Sequence, residues 1–133
     1  MIVTYSKEVF KHRILDRTKK HTIREDKSRR WKAGRSIEHW LGNPRNKKHN
    51  PDIHQFGKDV CQCVQAITIV NSKDSGKMVY VYDKTHTLHP KRLSVDQIEI
   101  LAINDGFDNT EDFWNWFSET TSGYIIHWTD LIY

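Results

Sequence analysis

The chain predicts an α+β fold: an antiparallel sheet or partly open β-barrel of mainly antiparallel strands with flanking helices. Three observations carry this. Runs rich in β-branched and aromatic residues recur at 1–5, 21–25, 35–41, 60–70, 78–82 and 124–128. Apolar residues at helical spacing fall at 7–16, 94–105 and 110–117. The resulting order of strand, helix, several strands, two helices and a final strand is that of an α+β domain. The 133 residues form one domain, 1–133, with enough chain for a single core.

Residues 1–5 alternate as a first strand, and Ser6 is the expected N-cap of a helix over 7–16 whose inner stripe is Val9, Phe10, Arg13 and Ile14. Lys7, Glu8, Lys11 and Asp16 face away as a solvated surface. A strand over 21–25 follows, then a basic stretch to Gly34, which turns the chain into the strand 35–41. Residues 42–57 are polar and read as a long loop. Residues 60–70 and 78–82 read as a hairpin across the turn 71–77, with Val79 and Val81 sharing one face and Tyr80 and Tyr82 the other. Residues 84–90 show no periodicity and are expected as loop. Ser94 and Gln97 form a capping box for a helix with Val95, Ile98, Leu101 and Ala102 inside, ending at Gly106. Asn109 caps a helix over 110–117 that turns Phe113, Trp116 and Phe117 inward.

The densest chemistry lies at 19–26, Lys-Lys-His-Thr-Ile-Arg-Glu-Asp. On a strand, Thr22 and Arg24 share one face while His21, Ile23 and Glu25 take the other. Lys19, in the turn feeding the strand, reaches over the Thr22 face. The result is a Lys-Thr-Arg cluster suited to carbonyl or phosphate oxygens. Asp105 stands at a helix C-terminus, where a carboxylate opposes the helix dipole, so another group is expected to hold it.

Lys19-x-x-Thr22-x-Arg24, with the helix before it, Arg30-Trp31-Lys32-Ala33-Gly34 after it, and Leu101 to Phe107 followed by Glu111-Asp112-Phe113, resembles the signature of the ASCH domain family. That resemblance implies a PUA-like β-barrel. It leaves 43–60 and 71–90 uncovered, and Arg17 stands where the family usually has glycine, a departure that bears on the turn rather than the chemistry. Family members described as N4-acetylcytidine amidohydrolases use a Lys-Thr-Glu set. Carried over, the catalytic residues are Lys19, Thr22 and Asp105, with Asp in place of Glu. In that reading Thr22 is the nucleophile or positions a water, Lys19 is the base, Asp105 orients the amine, and Arg24 or a backbone N–H meets the developing oxyanion. Lys19 and Thr22 are expected to line the surface without carrying core area.

Charge is laid out unevenly. Residues 7–35 carry twelve Lys or Arg against four Asp or Glu, whereas 94–133 carry eight acidic residues and no Lys or Arg. A basic front fits nucleic acid, and it equally fits pairing of the two ends across the fold. The expected partner is RNA or a modified nucleoside, with Arg24, Trp31, Arg30, Lys20 and Arg45 as its binding residues; Trp31 is at once a candidate stacking platform and a candidate core anchor. An interaction or regulatory protein without a small ligand is the other class. The sequence has no run near 18 apolar residues and no secretory leader pattern, so a soluble, cytoplasmic protein is expected. Cys61 and Cys63 sit one residue apart and read as reduced thiols, and with His49 and His54 they match no common zinc spacing. No metal or cofactor is expected.

Overall fold

The computed structural model describes residues 1–83 and 89–133, so most of the loop expected at 84–90 lies outside the described residues. Among the described residues, eight strands and three α-helices form an α+β fold: β1 (Ile2–Tyr5), α1 (Glu8–Leu15), β2 (His21–Arg24), β3 (Ser36–Leu41), β4 (His54–Val60), β5 (Cys63–Ser72), β6 (Gly76–Val81), β7 (Lys91–Arg92), α2 (Val95–Asn104), α3 (Thr110–Trp116) and β8 (Thr121–His127). The strands make two sheets, ordered β1-β3-β4 and β2-β8-β5-β6-β7, which do not close into a barrel. Every pairing is antiparallel except β1 with β3.

The larger sheet, the apolar faces of the helices and Val3, Tyr5 and Ile37 of the smaller sheet supply a single core. Ile67, Ile69, Val79, Val81 and Ile125 from the sheet cluster with Ile98, Leu101 and Ala102 of α2 and Phe113 of α3, all under 9% exposed. Strand alternation places Val79 and Val81 inside and leaves Tyr80 and Tyr82 half-buried on the opposite face. The capping box at Ser94 and Gln97 forms in both directions, and the Asn109 side chain accepts the Asp112 N–H at 2.8 Å.

Several local expectations are corrected. Lys7, not Ser6, occupies the N-cap of α1 without a side-chain cap bond, and Val9 is 43% exposed. Val95 is 79% exposed because it opens the first turn of α2, beyond the reach of the core. Trp116 is 46% exposed. The segment 42–57 is not all loop: it contains a 3-10 turn at Pro44–Asn46 and the start of β4 at His54. That strand is an edge strand, half-exposed along most of its length, so its polar sequence shows no alternation to read. Val60 closes β4 rather than opening the hairpin, which starts at Cys63.

The front and back of the chain meet across the fold, for Arg13 of α1 pairs with Asp108 between α2 and α3. The turn between α1 and β2 is left-handed at Arg17, with φ 69°, the conformation glycine adopts at no steric cost. Its guanidinium makes an exposed contact with Asp59 at 3.2 Å, the kind of surface pair that contributes little. Arg17→Gly therefore stabilises the fold by about 1 kcal/mol, to be read from the midpoint of urea unfolding; an unchanged or lowered midpoint contradicts it.

Candidate functional site

The turn after α1 is tied down by backbone bonds at both ends. Lys19 N–H donates to the Arg13 carbonyl at 2.9 Å, and Lys20 N–H donates to the Asn104 carbonyl at 2.7 Å. The second bond brings the end of α2 against the edge strand β2. As a result Lys19, Thr22, Arg24 and Asp105 line one cleft of about 90 Å³, walled by Tyr5, Phe10, Phe107 and Trp116. The exposed Trp116 thus borders this cleft, in edge contact with Phe10 at 5.4 Å.

Asp105, the C-cap of α2, is held as its position requires. Lys19 Nζ donates to both its backbone carbonyl and its Oδ1, the latter at 3.4 Å, and His21 Nδ1 lies 3.1 Å from the same Oδ1. Gly106 makes this approach possible. It adopts φ 100°, and a Cβ there would stand 2.9 Å from Lys19 Cδ and 3.0 Å from Phe10 Cδ1. Lys19 and Thr22 are only 3% and 4% exposed, so they are buried at the cleft floor rather than surface-lining.

His21 was legible only as a histidine on a strand, and its role emerges from contacts distant in sequence. Its Nδ1–H donates to Asp105, which leaves Nε2 to accept the Tyr133 hydroxyl at 2.5 Å; that hydroxyl in turn accepts Asn104 Nδ2 at 3.1 Å. Burial pushes the His21 pKa down, with hydrogen bonding to Asp105 opposing it. A second relay reaches the cleft wall from the smaller sheet: the Tyr5 hydroxyl donates to His39 Nδ1 at 2.9 Å, and His39 Nε2 contacts Asp59 at 2.9 Å. Burial raises the Tyr5 and Tyr133 pKa values far above the ordinary phenol.

Arg24 reaches the Thr22 face, as strand alternation requires. Its Nε donates to Thr22 Oγ1 at 3.2 Å, its Nη2 donates to the Thr4 carbonyl at 2.8 Å, and the guanidinium lies 5.4 Å from the Tyr5 ring centre. The other expected binding residues lie outside this cleft. Lys20 is half-buried in the backbone junction described above, and Arg45 is exposed in the 3-10 turn. Arg30 flanks the buried Asp26 carboxylate at 3.8 Å. Trp31 is 5% exposed and belongs to the core cluster. Among the described residues no group of three His, Cys, Asp or Glu is placed to hold a metal ion, and no helix is long and apolar enough to cross a membrane. Compared with protein-family models, curated proteins and solved structures, the chain matches none.

Burial lowers the Lys19 pKa from 10.5 to about 8; Asp105 opposes the shift and Arg24 adds to it. The unfolded chain keeps this proton up to 10.5, so between about 8 and 10.5 it binds more protons than the folded one. The contribution of Lys19 to stability therefore rises with pH across that window. Cys61, pushed up from 9.0 to about 11 by burial, acts in the opposite sense, so the comparison needs a variant. The stability of the protein relative to Lys19→Met, measured by denaturant unfolding, should rise from about pH 8 to 10.5. A difference that stays flat contradicts a lysine titrating there.

Proposed function

We propose that the chain is an ASCH-type protein of PUA-like architecture whose cleft binds a modified nucleoside, free or within RNA. The observation that carries this reading is the convergence of Lys19, Thr22, Arg24 and Asp105 in one cleft walled by aromatic rings. A nucleobase presents flat apolar faces and an edge of carbonyl and amine groups. The aromatic walls suit the faces. The hydroxyl, ammonium and guanidinium suit the oxygens, and the fixed positions of Lys19 and Arg24 limit what is lost in ordering them. Binding of N4-acetylcytidine, followed by isothermal titration, should weaken about tenfold or more in Arg24→Ala, since a buried acceptor then loses its charged donor. Affinity unaltered by that substitution would remove the cleft as the binding site.

A second reading, hydrolysis of an exocyclic amide on such a nucleoside, is favoured by the lowered pKa of Lys19. At about pH 8 half of the amine is neutral and able to accept a proton. Thr22 Oγ attacks the amide carbon and its proton passes to Lys19. The carbonyl oxygen, now an oxyanion, is met by Arg24. Collapse returns the proton to the departing nitrogen, and water then hydrolyses the acyl-threonine with the same amine as base. Asp105, short by a methylene relative to Glu, is brought to the lysine by Gly106. In this reading kcat/KM climbs with pH and levels off above about 8. Thr22→Ser retains turnover of N4-acetylcytidine and Thr22→Val loses at least about a hundredfold, the scale of an absent nucleophile or general base. Full turnover by Thr22→Val would leave the cleft as a binding site only.

A further inference from the structure

Two larger cavities lie away from the lysine cleft, along the outer face of the five-stranded sheet. One of about 400 Å³ is bordered by Arg29, Trp31, Lys32, Val64 and Tyr124. The other, about 470 Å³, is bordered by Lys27, Arg29, Ala66, Thr68, Tyr82 and Tyr124. Because Asp26, Arg29 and Tyr124 border both, the two form one continuous groove.

The register explains its shape. Tyr124 of β8 lies opposite Ala66 of β5, and the Tyr82 N–H bonds to the Ala66 carbonyl at 3.0 Å from the other side. The three residues therefore project from the same face, two rings flanking a methyl floor. With strands about 4.8 Å apart, the two tyrosines stand roughly 10 Å from one another, leaving a shallow trough between them. Tyr124, Ala66, Thr68 and Tyr82 are all half-buried rather than sealed. Arg24 lies opposite Tyr124 on β2, so the same face carries the Arg24 guanidinium toward the lysine cleft.

The rim of the groove is cationic. Lys27, Arg29 and Lys32 are exposed, and all three lie on the connection between β2 and β3. That connection is set in place from within: the Asp26 carboxylate accepts the N–H groups of Arg30 and Trp31, each at 3.0 Å, and its side chain is 2% exposed. Asp26 and Arg29 take φ of 40° and 50°, a conformation held only where the surroundings enforce it. The one acidic group buried in the rim is thus consumed by backbone donors. Glu25, at the edge, pairs with Lys27 at 3.5 Å.

We infer that this groove binds single-stranded RNA, with bases stacked on Tyr82 and Tyr124 over the Ala66 floor and phosphates met by Arg29 and Lys32. Open sheet faces carrying aromatic rings beside cations suit single strands because each base offers a π-face and each linkage an anion. The inference rests on the nucleoside reading of the cleft and extends it. A strand lying on the sheet runs toward Arg24, so the lysine cleft takes its base from a polymer.

Fluorescence anisotropy with a short labelled single-stranded RNA of mixed sequence tests it, alongside titration of free N4-acetylcytidine. Tyr82→Ala and Tyr124→Ala should each weaken RNA binding about tenfold, while Tyr82→Phe and Tyr124→Phe, which keep the rings, bind as the unaltered protein does. Arg29→Ala should lower the slope of log affinity against log salt by about 0.7. Free nucleoside binding should be unchanged in all five variants. RNA binding that is absent, or unaffected by both alanine substitutions, overturns the groove. If nucleoside binding by the unaltered protein persists in that case, the cleft reading survives; if it is absent too, both readings fall together.

Discussion

The site depends on one buried contact, that between the ammonium of Lys19 and the C-cap residue Asp105, 3% and 4% exposed. Burying two opposite charges costs several kcal/mol per ion in lost hydration, which mutual attraction returns only when further hydrogen bonds complete both shells. Here they do. The lysine also donates to the Asp105 carbonyl, one of the groups that a helix end leaves unsatisfied, and His21 supplies the carboxylate with a second donor. Such a pair adds little net stability, yet removing one partner costs about 3–5 kcal/mol. It acts as a register pin, fixing the end of α2 to the turn that feeds β2.

Backbone conformation is shaped to serve that pin. Gly106 takes a positive φ that ends α2 and lets the lysine stem pass within a distance that no side chain would permit. Arg17 takes a positive φ on the other side of the same junction, giving the turn a glycine-like bend without a glycine. Strain at Arg17 and desolvation at Lys19 are both unfavourable locally and are carried by the core beneath. Ile125, Leu101 and Phe113 in that core are fully buried. Placing an unfavourable charge on a rigid element is what leaves the amine with a lowered pKa, so the packing of the helices and the basicity of the lysine are one problem.

How much of this was legible in the sequence follows from the range of the interactions. Strand alternation alone put Thr22 and Arg24 on one face, and the dipole argument alone required Asp105 to have a partner. The hairpin, the capping box and the Asn109 cap rest on contacts within a few residues, and all three formed. What stayed hidden is non-local. β4 is polar because it is an edge, so nothing in His54 to Val60 marks it. His21 acquires its place from Asp105 and Tyr133, which are 84 and 112 residues away. Whether the sheets close into a barrel is decided by how they pack, and no segment's periodicity encodes it.

The charge asymmetry of the chain joins these observations. Part of the basic front is spent on the acidic back, where Arg13 meets Asp108 at the surface and Lys19 meets Asp105 in the interior. Those contacts take up Asp105 and Asp108 and join the two ends across the fold, while the proposed groove would draw on a different stretch of the basic front. Lys27 pairs with Glu25 and Arg30 flanks Asp26, but Arg29 and Lys32 are not spent in this way. Asp26 satisfies backbone donors, and Arg29 and Lys32 stay exposed beside the sheet. Cations kept out of internal pairs on a strained, internally bonded connection are placed where they raise the local concentration of anions without giving up stability to do so. Their position is set by the same strand, β2, that carries Thr22 and Arg24 into the cleft. On the proposed reading, a polyanion attracted to that rim would be led along the sheet toward the cleft in which burial makes Lys19 less basic.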